Sequence, residues 1–289
     1  MSNVLELNNV NKSFKDFGLK DISFELKKGY IMGFIGPNGS GKTTTIKLIM
    51  HLLNKDSGDI KVFGKDHLQY EREIKDRIGF VYDECYFYEN LSIKDNGKIL
   101  GPFYSKWNNE LFYEYLERFE LNPKKKIAKL SKGMKTKFQL AFALSHKADL
   151  LIMDEPTAGL DPIFRREFLE LLHDLMQDEN KSIFFSTHIT SDLDRIADYV
   201  TIINEGSIVF STSMEELKET YHIIKGSNEL LNSIDKDMLD GLKQTSFCFE
   251  ALTMHSKTLS RQLGDRIVIE KPSLEDIMVF SKSTSVKER

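Results

Sequence analysis

Gly36-Pro37-Asn38-Gly39-Ser40-Gly41-Lys42-Thr43 is the stretch that decides the fold. It fits G-x-x-x-x-G-K-T and follows the apolar run Tyr30 to Ile35, so the local order reads strand, glycine-rich turn, helix. Glycines let the backbone curl until successive N–H groups point inward, and a helix beginning near Lys42 adds the positive end of its dipole. Such a concavity takes phosphate oxygens. In this P-loop pattern Lys42 reaches the β- and γ-phosphates of a nucleotide, and the Thr43 hydroxyl is a ligand for Mg²⁺. A glycine turn that merely caps a helix is the plainer reading; the strand before it and the helix after it favour nucleotide binding.

On the N-terminal side, residues 4–32 alternate apolar and polar, as in Ile22-Ser23-Phe24-Glu25-Leu26, which predicts half-buried strands in an antiparallel layer. Within it Phe14 is either core or an exposed ring for stacking a base. On the C-terminal side, Ser57 to Phe63 alternate again, Tyr70 to Arg77 read as a short charged helix and Ile78 to Tyr82 as a strand. Residues 86–146 change character: Leu111 to Phe119 and Phe138 to Leu144 carry apolar residues at helical spacing, broken by Pro102 and Pro123. This is a helical insert. Its aromatics, Tyr86, Phe87, Tyr88, Phe103, Tyr104 and Trp107, are expected in the core, and Lys124-Lys125-Lys126 in a solvated turn.

The apolar runs Leu150 to Met153 and Ile183 to Ser186, with helices over Phe164 to Met176 and Asp192 to Ala197, complete an α/β pattern. Buried strands alternating with helices mean a mostly parallel core sheet flanked by helices. Two strands around Asn204-Glu205-Gly206 and a helix at Met214 to Lys218 close a domain spanning 1–220. Beyond it, 221–289 read as a small α+β C-terminal extension with a strand at Arg266 to Ile269 and a helix at Leu274 to Phe280.

Two strand ends carry further chemistry. Leu150-Leu151-Ile152-Met153-Asp154 is a Walker B form, a buried strand delivering a carboxylate beside the P-loop, where Asp154 would hold Mg²⁺. Glu155 follows directly, suited to polarise the attacking water. A capping role for Asp154-Glu155-Pro156 is the weaker alternative. His188, after the run ending Ser186-Thr187, falls on the same sheet edge. A lone histidine at a strand end is commonly structural; this place favours contact with the γ-phosphate.

Bulk composition narrows the classes. The 289 residues hold 40 Lys+Arg against 44 Asp+Glu, a net charge of −4. No global basic field recruits nucleic acid, which is not an expected partner. Cys85 and Cys248 stand far apart with no C-x-x-C, so neither a disulfide framework nor a zinc site is indicated and free thiols in a reducing cytosol are expected. No apolar run approaches the ~20 residues of a membrane-spanning helix and no signal peptide is recognisable, which predicts a soluble intracellular chain.

Taken together, these residues resemble the ATP-binding cassette (ABC) ATPases over roughly residues 3–220. Leu130-Ser131-Lys132-Gly133-Met134 is similar to the family signature, Ala158-Gly159-Leu160-Asp161 to its D-loop, His188 to its switch histidine and Phe14 to its adenine-stacking aromatic. Singly, the signature serine is equally an ordinary N-cap; the ordered ensemble is specific. The resemblance implies a P-loop NTPase fold with catalytic Lys42, Glu155 and His188. It implies ATP contacts at Phe14, Gly36, Asn38, Gly39, Ser40, Gly41, Lys42, Thr43 and Thr44, with Ser131, Gly133 and Asp161 supplied across a head-to-tail dimer. Thr43, Asp154 and Asp83 are the implied Mg²⁺ ligands. Two places depart from the family: Asp83 stands where a glutamine is common, with Glu84 the alternative by a one-residue shift, and Lys132 and Met134 replace Gly and Gln in the signature.

The function implied is the ATPase subunit of a bacterial ABC exporter, a homodimer or a heterodimer with a related subunit. It would dock on integral membrane permease subunits, cytoplasmic but peripheral on the inner face of the membrane. Amphipathic peptides or hydrophobic drugs are the cargo expected. The alternative is a soluble ABC ATPase of DNA repair or translation; against it, no heptad run separates Gly41 from Ser131 and one P-loop is present.

Overall fold

The computed structural model describes residues 2–284, with side chains through residue 280. Two long strands, β1 (Asn3–Ser13) and β2 (Gly18–Lys27), pair antiparallel. The strand β3 (Ile31–Ile35) then enters the P-loop, and α1 (Lys42–Ile49) leaves it. Next come β4 (Ser57–Val62), the two-residue β5 (Lys65–Asp66), α2 (Glu71–Asp76) and β6 (Ile78–Val81). The insert supplies α3 (Ile93–Leu100), α4 (Asn109–Arg118) and α5 (Lys132–Ser145). The chain returns through β7 (Leu150–Asp154), α6 (Pro162–Leu175), β8 (Ser182–Thr187), α7 (Thr190–Ile196), β9 (Tyr199–Asn204), β10 (Ser207–Ser213) and α8 (Met214–Thr220).

The six-stranded sheet has the order β10-β9-β3-β8-β7-β6, and β9, β3, β8, β7 and β6 run parallel. Every residue of β3, β7 and β8 is buried, as expected of strands covered on both faces. The N-terminal layer is the antiparallel sheet β2-β1-β4-β5, whose alternation buries Leu5, Leu7, Ile22 and Leu26. Phe24 of β2 stacks on Phe184 of β8, centroids 5.6 Å apart and 9° between planes, with Phe34 of β3 beside both. These rings join the two layers into one core.

The insert's aromatics divide, correcting the expectation that all are core. Phe87, Tyr104 and Trp107 pack on Phe142 of α5, with ring centroids 5.0, 5.7 and 4.9 Å away. Tyr86, Tyr88 and Phe103 are exposed, Phe103 at 79 %. The insert has no room for all six: Phe112, Phe138 and Phe142 already fill the space between α4 and α5.

The chain separates into two compact units, one running to His188 with Ile196–Ser211, the other comprising Ile189–Arg195 with Thr212 onward. The second unit therefore takes in α8 and most of α7, where the sequence reading drew its line at residue 220. Its sheet is β11 (His222–Ser227), β12 (Gly241–Gln244), β13 (Cys248–Thr253) and β14 (Ile267–Glu270) in the antiparallel order β12-β13-β11-β14. The helices α9 (Ser256–Leu263) and α10 (Leu274–Thr284) complete it. One face buries Ile224, Phe249, Ala251 and Ile267 with Leu259 and Leu263 of α9; on the other, Lys225 pairs with Glu250 and Glu270. No helix among the described residues is long and apolar enough to cross a membrane.

Candidate functional site

Three neighbouring parallel strands, β3, β8 and β7, end side by side, with Ile35 opposite Thr187 and Asp154 opposite Ser186. Whatever follows those residues is gathered along one carboxyl edge, where open α/β sheets bind their ligands. From β3 comes the P-loop. Gly39 and Gly41 hold φ of 79° and 114°, values open to glycine and strained for other residues, and they turn the loop into the start of α1. The Ser40 hydroxyl is buried and has no hydrogen-bond partner, an unusual condition that calls for a ligand or a water.

Lys42 is only 6 % exposed; its Nζ donates to the carbonyls of Gly36 at 2.8 Å and Pro37 at 3.2 Å, and lies 3.3 Å from Glu155 Oε1. A buried ammonium without partners would be prohibitive, so loop carbonyls and carboxylate together hold the cation in place. Thr43 Oγ1 donates to Asp154 Oδ2 at 2.8 Å, and Ser186 Oγ to Asp154 Oδ1 at 2.5 Å. Burial raises the Asp154 carboxyl above the ordinary carboxylate range; the hydrogen bonds from Ser186 and Thr43 work against that rise, as does the charge of Lys42, while Glu155 adds to it.

Glu155 has φ of 49°. A non-glycine residue there is strained, and such positions concentrate at working sites. The turn aims the carboxylate at two partners: Oε1 toward Lys42, and Oε2 toward His188, whose Nδ1 lies 2.8 Å away and whose backbone N–H donates at 3.3 Å. Lys42, Thr43, Asp154, Glu155 and His188 thus form one connected group.

The remaining sequence-derived residues fall outside it. Ser131 accepts from the Met134 N–H and caps α5, and Asp161 accepts from Ile163 and Phe164 and caps α6. Gly133 sits in the first turn of α5 beside Leu160. Asn38 and Gly39 are exposed on the loop, and Thr44 is half-buried in α1. Phe14, 44 % exposed, lies at the turn between β1 and β2. Asp83 is not part of the Thr43–Asp154 pair: its carboxylate is bound by Lys132 Nζ at 2.5 Å, while Glu84 accepts from the Tyr86 hydroxyl. Lys132 starts α5 next to the loop after β6, so the two departures from the family pattern satisfy each other. Ser186 was missed; the signal was a polar residue closing an otherwise apolar strand, opposite Asp154.

These residues fit a nucleoside triphosphate with Mg²⁺. The P-loop offers amides, an orphaned hydroxyl and a cation to phosphates, and Thr43 with Asp154 offers hard oxygens. Among the described residues no cluster of three or more His, Cys, Asp or Glu side chains could hold a metal; Mg²⁺ takes one or two carboxylates and completes its shell with phosphates and water.

The profile described as "ABC transporter" matches residues 19–158. The bacitracin transport ATP-binding protein BcrA of Bacillus licheniformis is 36 % identical over 222 residues, 76 % of this chain and 72 % of that protein. The lantibiotic transport ATP-binding protein SrtF of Streptococcus pyogenes is 33 % identical over 223 residues, 74 % of this chain and 95 % of that protein. A solved ATP-binding subunit of an ABC transporter superposes with a TM-score of 0.68 at 25 % identity, covering 74 % of this chain and 92 % of its own. Strand-end carboxylates, P-loop and sequence likeness converge: the chain belongs to the ABC transporter family, as an ATP-binding and ATP-hydrolysing subunit.

Proposed function

We propose that this chain powers a bacterial exporter, with peptide antibiotics or similar amphipathic compounds as cargo. The observation that carries the catalytic part is the Glu155 carboxylate fixed between Lys42 and His188 at the carboxyl edge of the sheet. The cargo reading rests on two relatives named for bacitracin and lantibiotic transport.

In this reading ATP phosphates lie in the P-loop against Lys42 and Ser40. Glu155 orients a water for in-line attack on the γ-phosphorus and takes its proton; the bond to the β–γ bridging oxygen breaks, leaving ADP and phosphate. His188 holds the Glu155 carboxylate in its aim. Mg²⁺, held by Thr43 and Asp154, would neutralise charge on the phosphates. Two copies, or this chain and a related one, face head to tail, so that Ser131, Gly133 and Asp161 at two helix starts meet nucleotide on the opposite subunit. The amino end of the 14-residue α5 suits a phosphate from another chain.

The permease contact is assigned to a cavity of about 760 Å³ lined by Tyr82, Tyr86, Phe87, Phe103 and Tyr104, where Phe103 presents an exposed ring. A cytoplasmic segment of a membrane subunit would seat there, placing the chain on the inner face of the membrane. Residues 221–289 are assigned to an accessory layer that contacts a partner.

Glu155→Gln tests the core of the proposal. ATP affinity should hold within a few-fold, turnover should fall about 10²–10⁴-fold, and size-exclusion chromatography with ATP should show a stable dimer. Unchanged turnover removes Glu155 from its role, and a monomer at saturating ATP removes the shared-nucleotide arrangement.

A further inference from the structure

Lys132 stands where helix electrostatics disfavour it. It is the first residue of the 14-residue α5, whose first turn holds no acidic side chain, and a cation there faces the positive end of the helix dipole. The compensating charge comes from outside the helix: Lys132 Nζ meets Asp83 Oδ1 at 2.5 Å, in the loop that follows β6. The pair is open to water, with the lysine side chain 50 % and the aspartate 47 % exposed, so it contributes little to stability. Nor does the loop depend on it, because Gln139 already binds both backbone groups of Tyr82 from within the core. What is fixed is the stem of the lysine. Its Cδ lies 3.5 Å from where a side chain on Gly159 would begin, and Leu160 Cδ2 lies the same distance from that position on Gly133. The turn after β7 thus seats the methylenes, and only the ammonium end is able to change partner.

We propose that Lys132 exchanges anions: Asp83 holds its ammonium in the single chain, and nucleotide phosphate on the opposite subunit takes it when two subunits close. Asp83 is then a built-in competitor of dimer formation. The inference rests on the shared-nucleotide reading above and adds to it a charge that neither Ser131 nor Gly133 carries. Lys132 lies between those two residues, so a change of its side-chain rotamer is enough to carry the ammonium from carboxylate to phosphate. A triphosphate presents more negative charge than one carboxylate, which makes the exchange favourable once the opposite subunit brings its nucleotide. Without that nucleotide, the carboxylate keeps the cation.

Dimer formation against ATP concentration, followed by sedimentation of the full chain carrying Glu155→Gln, tests this. In that background Asp83→Asn releases the ammonium and should lower the ATP needed for half-maximal dimer about two- to fivefold, the range of one exposed ion pair. Lys132→Gln should raise it by a similar factor. The double variant should match Lys132→Gln alone, since Asp83 then has nothing to sequester, and added salt should shrink the gap between Asp83→Asn and its parent. Both side chains lie at the surface, so neither change threatens the fold. The proposal is overturned if the two single changes shift the ATP requirement in the same direction, as a merely structural pair would, if neither shifts it, or if Asp83→Asn keeps its full effect without Lys132. A Glu155→Gln chain that stays monomeric at saturating ATP would instead sink the shared-nucleotide reading, and this inference with it.

Discussion

Burial sets opposite problems for a carboxylate at the end of β7 and an imidazole at the end of α5. Asp154 is kept by hydroxyl donors from Thr43 and Ser186. His146 has no such help: it is 1 % exposed, stacks on Tyr104 with centroids 4.0 Å apart, and its Nδ1 has no hydrogen-bond partner. Burial pushes its pKa down to about 4, helped by Lys181 and opposed by Asp76 and Asp149. Below the ordinary value of 6.5 the unfolded chain takes up a proton that the folded chain refuses. Stability should therefore fall as pH drops from 6.5 and level off below about 4, by on the order of 3 kcal/mol. His146→Phe keeps the stacked ring and deletes the titration, so urea unfolding at pH 7 and pH 4.5 should show a smaller difference in the variant than in the parent chain. An equal difference in both would assign the acid loss elsewhere. At this scale the sequence was most readable where chemistry is local: the P-loop is contiguous, and Asp154, Glu155 and His188 each end a run of apolar residues. Ser186 was not readable, because its role comes from a cross-strand register that no short pattern encodes. The contact of Asp83 with Lys132 was hidden for the same reason, the two being 49 positions apart.

Among elements, α5 ties the insert to the nucleotide sheet through one side chain. Gln139 accepts from the Tyr82 N–H at 3.1 Å and donates to the Tyr82 carbonyl at 2.9 Å, fixing the backbone where it leaves β6. Buried backbone groups without partners cost about 1–3 kcal/mol each, so Gln139→Leu, which orphans two, should lower unfolding free energy by roughly 2–4 kcal/mol in denaturant titration. A loss under 1 kcal/mol would mean water or a neighbouring group replaces the amide. Elements were legible in proportion to their burial. The fully buried β3, β7 and β8 announce themselves as apolar runs, and α4 and α6 by their apolar stripe. Strands β11, β12 and β13 escaped because their sheet is apolar on one face and carries Lys225 and Glu250 on the other, while β12 is four residues long with three exposed. The helix α3 escaped because its eight residues include two lysines, an aspartate and a glycine.

For the nucleotide-binding unit as a whole, three parts meet at Gly206, in the turn joining β9 to β10. Its N–H donates to the Ser40 carbonyl at 3.0 Å, and its carbonyl accepts from the Lys20 N–H at 2.8 Å. The P-loop, the N-terminal layer and the sheet edge are thereby pinned to one residue. At φ of 77°, a side chain there would begin 1.8 Å from the Gly18 carbonyl oxygen. Gly206→Ala should destabilise by at least about 3 kcal/mol and weaken ATP binding with it; a variant with parental melting temperature and affinity would show that the turn yields easily. A displacement here would move the P-loop and the N-terminal layer together. Strain at this one turn would thus loosen the phosphate cradle while every catalytic side chain is kept.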